Sequence, residues 1–337
     1  MESSVTATGA ETKKGINGTT LKLIALIAMF IDHFTAVILQ NQQAIMVDAA
    51  NLTTNEAKSA WVTAHPLWTF GPVVLRLIGR FGFPLFVYLL VEGYTHTRSV
   101  KKYALNLAVF AFISELPFNL GFASTLFYPG YQNVFFTLFL GLLCIWAMDE
   151  FGVKHEWKKD ISWLFIPATL ILGAFIGYIC CVNFPGLIVY SFNEDVPVLA
   201  FLAVGAVVFL IIMAIVGRKW DEAKKTEFIA AAVSISVFGM IAELLKTDYS
   251  GMGVLTIAVM YIFRAKKTKA FALGCTILTL LNWAEVTAFF MLIPVHMYNG
   301  KRGPKINKYL FYAFYPVHLG LLYLVAYLLG IVPFAFY

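Results

Sequence analysis

In the run LIALIAMFIDHF, Asp32 and His33 interrupt an otherwise apolar stretch. A second run, from Leu75 to Lys102, carries Arg76 and Arg80 near its middle and leaves through Glu92, His96, Thr97 and Arg98. An ionisable side chain at bilayer depth is costly, so it faces a protein interior or a wet cavity and marks a functional site by default. A histidine titrates near the working pH and suits a general base. Adjacent helical residues point about 100° apart. Asp32 and His33 therefore cannot share a face, and one is expected to meet a neighbouring helix while the other faces a cavity. Arg76 and Arg80 lie one turn apart on one face. A salt bridge to Asp32 or Glu115 accounts for Arg80 as well as a role in holding an anionic group or an oxyanion does.

Other polar groups fall into sets. Glu115 and Asn119 straddle Pro117 in ISELPFNL, and Asn133 and Thr137 are one turn apart in QNVFFT. Both pairs are expected to line one extracytoplasmic entrance, although Asn and Thr also serve as interhelical glue. Glu92 and His96, four apart, join Arg98, Lys101 and Lys102 in a basic cytoplasmic mouth; ordinary positive-inside anchoring explains the lysines but not Glu92, His96 and Thr97 together. MYNGKRG places Lys301 and Arg302 in a glycine-flanked turn. LFYAFYPVHLG carries Tyr312, Tyr315 and His318, with Tyr315 and His318 on similar faces. Asp248 and Tyr249 sit in LLKTDYSGMG, an acidic, glycine-rich outer turn. No nucleotide fingerprint, zinc motif or GxSxG elbow occurs, and no metal is expected.

The elements that must position these groups are membrane helices. Of the 337 residues, 60 % are hydrophobic and 13 % charged, with a mean hydropathy of +0.77. A soluble domain has about a quarter of its residues charged, so an all-α, polytopic integral membrane bundle is predicted. Ten spans are expected, near 21–40, 71–92, 102–122, 133–148, 161–181, 196–216, 228–245, 252–264, 270–294 and 309–330. They form one transmembrane domain over 21–337, after a disordered cytoplasmic tail over 1–20 with no cleavable signal peptide. The net charge of +6 is spread over short loops rather than a soluble basic face, which argues against nucleic acid and for contact with membrane lipids. Cys144, Cys180, Cys181 and Cys275 all lie in apolar runs at no metal-binding spacing and read as packed thiols.

Lys13, Lys14 and Lys22 argue for a cytoplasmic N-terminus in a cell (inner) membrane. Basic and non-basic links then alternate cleanly through eight spans. The ninth link (Lys301, Arg302, Lys305, Lys308) breaks the pattern, because it is basic yet falls outside. Either the ninth span is a re-entrant hairpin or these charges serve a function.

The ordered set LKLIALIAMFIDHF, IGRFGFPLFVYLLVEGYTHTRSVKKY, ISELPFN, QNVFFTLFLGLL, DYSGMGVLTI, YNGKRG and LFYAFYPVHL resembles the TraX family, named for the membrane enzyme that N-acetylates conjugative F-pilin. The resemblance runs from about residue 21 to 325. It implies an acetyltransferase using cytoplasmic acetyl-CoA as acyl donor and a protein, peptide or glycan acceptor presented from the membrane or its outer face. The family is distantly similar to transmembrane acyltransferases that modify surface sugars. Those carry a functional histidine in the first span, onto which His33 maps, with Asp32 as its acid partner by position and Arg80 matching the arginine of a GR motif. The catalytic set implied is Asp32, His33, Arg80 and Glu115. Coenzyme A is expected at Glu92, His96, Thr97, Arg98, Lys101 and Arg302, and the acceptor near Asn119, Asn133, Asp248, Tyr249, Tyr315 and His318. The alternative from the residues alone is a transporter of an anionic solute, gated by Arg80 and Glu115, although the paired repeats common in transporters are not evident. A non-catalytic assembly factor is a third.

Overall fold

A computed structural model describes residues 15–183, 198–305 and 307–333. Eight helical segments among them are long and apolar enough to cross a membrane. The first is a continuous rod in which α1 (Gly18–Phe34) runs through a π-helical stretch (Thr35–Gln40) into α2 (Asn41–Ala49). A short α3 (Asn55–Ala64) follows, in the link between the first two spans. The second span is broken, with α4 (Pro66–Gly79) handing over to α5 (Gly82–His96) across Arg80 and Phe81. Next come α6 (Val100–Ala123), α7 (Val134–Asp149), α8 (Phe165–Asn183), α9 (Val198–Val216) and α10 (Glu222–Leu244). The chain continues through α11 (Ser250–Ile262), α12 (Lys267–Leu281), a 3₁₀ segment (Trp283–Met291), α13 (Leu292–Met297) and α14 (Lys308–Leu328). The all-α prediction holds.

The expected ninth span, 270–294, is not one crossing. Helix α12 stops at Asn282, whose side chain accepts from the Ala284 amide and so caps the 3₁₀ segment. The chain then turns back. Lys267, at the start of α12, donates its ammonium to the carbonyl oxygens of His296 and Tyr298 (2.9 and 2.5 Å), at the end of α13. Entry and exit therefore lie side by side, and 267–297 is a re-entrant hairpin. Fifteen residues of α12 climb about 22 Å, short of the roughly 30 Å hydrocarbon core.

The fold-back returns the basic 301–308 link to the end where the chain begins. Gly18 and Thr19 donate their amides to the carbonyls of Lys301 and Arg302 (2.8 and 3.0 Å), and the Ile16 amide reaches Met297 (3.1 Å). With one hairpin the alternation of basic links no longer fails. The basic end carries the links around residues 97–99, 155–161, 217–221, 263–266 and 298–307. The far end carries 124–133 and 245–249, which pair through Gln132 and Asp248. Residues 1–14 of the expected tail lie outside the described residues, whereas 15–20 are tied into this network.

Packing concentrates around α5, α7 and α11, whose buried faces form one apolar core. Helix α9 stands at the periphery with most of its surface facing outward. It is held to α8 by a glycine contact: a Cβ on Gly205 would sit 2.3 Å from the Gly173 carbonyl oxygen. Small residues that let backbones approach supply the contact area between helices in lipid, where the hydrophobic effect gives none.

Candidate functional site

The break between α4 and α5 gathers an ion network. Arg76 Nη1 meets Asp32 Oδ2 at 2.5 Å, Arg80 Nη2 meets Asp32 Oδ1 at 3.2 Å, and Arg80 Nη1 meets Glu285 Oε1 at 3.1 Å. Gly79 makes this possible, since a Cβ there would stand 2.2 Å from Asp32 Oδ1. Three elements thus contribute: α1 brings Asp32, the break brings the arginines, and the tip of the hairpin brings Glu285. Two carboxylates face two guanidinium groups, so the formal charge balances. The Tyr249 hydroxyl adds a donor to Glu285 Oε1 at 3.3 Å, while its ring stacks on Phe83. Glu285 is 1 % exposed, and its Oε2 has no partner. Buried charges persist only when paired and hydrogen-bonded, and Arg80 meets that condition for two acids at once.

His33 turns the other way. Its Nδ1 lies 2.7 Å from Nε2 of His318 on α14, and the two rings are coplanar within 1°. Their centroids are 4.9 Å apart, so they meet edge to edge and do not stack face to face. His318 Nδ1 lies 2.6 Å from the Phe314 carbonyl oxygen. Phe122 and Tyr315 close on the His33 ring edge-on, and both histidines are buried. The expected divergence of Asp32 and His33 is therefore observed. Asp32 is not the acid partner of His33, however: its two oxygens are taken by Arg76 and Arg80, and His33 pairs with His318. Both residues lie about 20 Å along α1 from the basic end.

Towards the far end, Glu115 Oε2 accepts from Asn133 Nδ2 at 2.5 Å, and that amide also reaches the Ala111 carbonyl (2.8 Å). Glu115 and Asn133 do meet, as the entrance reading expects, but Glu115 makes no salt bridge with Arg80. Oε1 of Glu115, Oγ of Ser114 and Oδ1 of Asn119 are buried without partners. All three residues lie within three positions of Pro117 on α6. Thr137 Oγ1 bonds to Thr247 Oγ1 (3.0 Å) and to the Asp248 carbonyl. Tyr131 donates to Asp248 Oδ1 at 2.6 Å, and burial pushes the Asp248 carboxyl up to about 6. Asp248 and Tyr249 thus belong to different contacts, one with the far-end loop and one with the ion network.

At the basic end, Tyr298 Oη donates to Glu92 Oε1 at 3.1 Å, and His96 lies 3.9 Å from the same oxygen. A cavity of about 420 Å³ opens here, lined by Tyr88, Glu92, Thr95, Met260, Arg264 and Ala270 among others. Arg264 stacks on Tyr261 and donates to its carbonyl (2.9 Å). Arg98, Lys101 and Arg302 are exposed. Thr97 bonds within the turn that starts α6. Of the six residues expected to hold coenzyme A, only Glu92 lines this cavity; His96, Thr97, Arg98, Lys101 and Arg302 do not.

Two candidate residues and one pairing are not singled out by the sequence. Glu285 carries the same signal that singled out Asp32, a lone acid inside an apolar run. Arg264 has no signal in the sequence beyond that of a basic residue in a short link. The pairing of His318 with His33 spans 285 residues of chain and leaves no local trace. Among the described residues no group of three or more His, Cys, Asp or Glu side chains is arranged to hold a metal ion.

Comparison with known proteins agrees with the motif order. The family described as TraX protein matches residues 17–216 and 198–326. The chain is also similar to the probable fimbrial assembly protein FimC, serogroup H1, of Dichelobacter nodosus, with 26 % identity over 313 residues, covering 90 % of this chain and 92 % of that one. No solved structure matches.

Proposed function

Because the chain belongs to the TraX family, we propose that it is an integral-membrane acyltransferase. It moves an acyl group, acetyl as in the family's namesake, from acetyl-CoA at the basic end to an amine or hydroxyl of a membrane-presented acceptor, with His33 as general base. The observation that carries this reading is His33 itself. It is buried at bilayer depth, its Nδ1 is held by His318, and its Nε2 has no hydrogen-bond partner among the described residues. A buried imidazole with one nitrogen fixed and the other open is the arrangement a general base needs. The fimbrial assembly relative supports an acceptor in surface-protein assembly, and a pilin N-terminus or a surface glycan or peptide has the required nucleophile. The basic links support a cytoplasmic placement of the donor end in the cell membrane.

In the reaction, the acceptor N–H or O–H gives its proton to Nε2 of His33 as its heteroatom bonds to the thioester carbonyl carbon. The carbon–sulfur bond then breaks, and the coenzyme A thiolate takes that proton back from Nε2 of His33 and leaves as the thiol, which returns the base to its starting state. Arg80 uses three of its five N–H groups on Asp32, Glu285 and the Arg76 carbonyl, which leaves two donors for negative charge developing on the carbonyl oxygen. Asp32 fixes the arginines and takes no proton from His33. The unpartnered oxygens of Ser114, Glu115 and Asn119 are acceptors for the donor groups of the incoming nucleophile. The 420 Å³ cavity supports entry of the coenzyme A arm beside Arg264, with Arg98, Lys101 and Arg302 meeting its phosphates at the exposed rim.

The test is purified protein with labelled acetyl-CoA and candidate acceptors, scored for coenzyme A release. The wild type is expected to show acceptor-dependent release and His33→Ala to lose roughly 10²–10⁴-fold in rate while remaining folded. Unchanged turnover in His33→Ala removes the base, and solute flux without thioester cleavage replaces the enzyme by a transporter.

A further inference from the structure

His318 belongs to no motif of charged residues, yet it makes the shortest polar contact of the base. The hydrogen-bond chain fixes where its protons are. The Phe314 carbonyl oxygen can only accept, so the Nδ1 nitrogen of His318 that lies 2.6 Å from it must carry a hydrogen. His318 is buried, and among the described residues no carboxylate stands within salt-bridge distance of either imidazole. A charge there would be uncompensated, so both rings are neutral. A neutral imidazole protonated at Nδ1 presents an unprotonated Nε2. That nitrogen can only accept across the 2.7 Å contact, which makes Nδ1 of His33 the donor. The proton order is thus set from one backbone carbonyl through two coplanar rings, and it leaves the lone pair of His33 on Nε2.

We propose that His318 is a positioning residue that holds His33 in its Nδ1–H tautomer and accepts the hydrogen bond that steadies the ring when Nε2 takes up the acceptor's proton. This inference rests on the reading of His33 as the base. A carboxylate fills the same place beside the histidine of a serine-protease triad, where losing the correct tautomer costs about 10⁴ in rate. A neutral imidazole is the weaker acceptor and costs less to bury in a membrane helix. Tyr315 and Phe122 pack edge-on against the His33 ring.

Two measurements on the full-length protein in lipid nanodiscs test this. In wild-type protein labelled with ¹⁵N-histidine, a pyrrole-type Nδ1 and a pyridine-type Nε2 are expected for His33, assigned by loss of the signal in His33→Ala. A protonated Nε2 on His33 overturns the proposal, and this readout holds even if no acceptor supports turnover and the acyltransferase reading fails. The second is kinetic. His318→Gln keeps an acceptor oxygen near the place of Nε2, whereas His318→Leu removes it. His318→Leu is expected to lower kcat by the order of 100-fold, within the range for disturbing general-base catalysis, with KM little changed. His318→Gln is expected to recover most of that loss. Equal loss in both variants, with unfolding midpoints matching wild type, overturns the positioning role.

Discussion

Arg80 is the residue on which the ion network turns, because its guanidinium faces Asp32 from α1 and Glu285 from the hairpin tip. Removing one partner of a buried pair leaves an uncompensated charge and costs about 3–5 kcal/mol. Arg80→Ala is therefore expected to lower stability in detergent by that order, with Arg80→Lys rescuing little, since an ammonium lacks the planar fork that spans two carboxylates. Arg80→Ala combined with Glu285→Gln should recover much of the loss, because Asp32 keeps Arg76 as its partner and no charge is left stranded. Thermal unfolding of the variants checks both. At this scale the sequence announced Asp32, His33, Arg76 and Arg80 by their cost in an apolar run, and helical geometry alone predicted that Asp32 and His33 diverge. It did not announce their partners. Pairing of His33 with His318 and of Arg80 with Glu285 depends on which helices become neighbours, and no spacing within one helix carries that information.

Among the elements, the hairpin of α12, the 3₁₀ segment and α13 differs most from expectation. Periodicity and apolar length are the same for one long span as for two short limbs, so 270–294 reads as a crossing. The distinction lies in Asn282, which caps a new segment, and in Glu285, which a lipid-facing span would not tolerate. The charge pattern held the remaining clue, since a basic ninth link is inconsistent with a full crossing before it. In a background with the four cysteines replaced, Lys305→Cys and Lys159→Cys are expected to react with an impermeant maleimide from the same face of the membrane, and Phe127→Cys from the opposite face. Lys305→Cys labelled with Phe127→Cys would restore the full crossing. Gly79 and Gly205 show the other way in which an element exceeds its sequence signal. Each is a point where a side-chain carbon would collide with a neighbour, and each admits either an ion pair or a helix contact.

The molecule as a whole has two ends with different chemistry and a buried histidine pair between them. The basic end presents cations and a cavity against Arg264 and Glu92. Towards the far end lie buried, unpartnered oxygens of Ser114, Glu115 and Asn119. This polarity was legible early, from basic links and from the glutamate and asparagines around Pro117, whereas the cavity was not, because its walls come from α5, α11 and α12. A donor and an acceptor that arrive from opposite sides need a catalyst at intermediate depth, and His33 lies about 20 Å from the basic end. The direct measurement is acyl transfer in proteoliposomes whose orientation is fixed by labelling Lys305→Cys, with radiolabelled acetyl-CoA supplied to one face at a time. Transfer is predicted only when the acetyl-CoA is on the face that carries Lys305. Transfer supported equally, or solely, from the face that carries Phe127 would contradict this account.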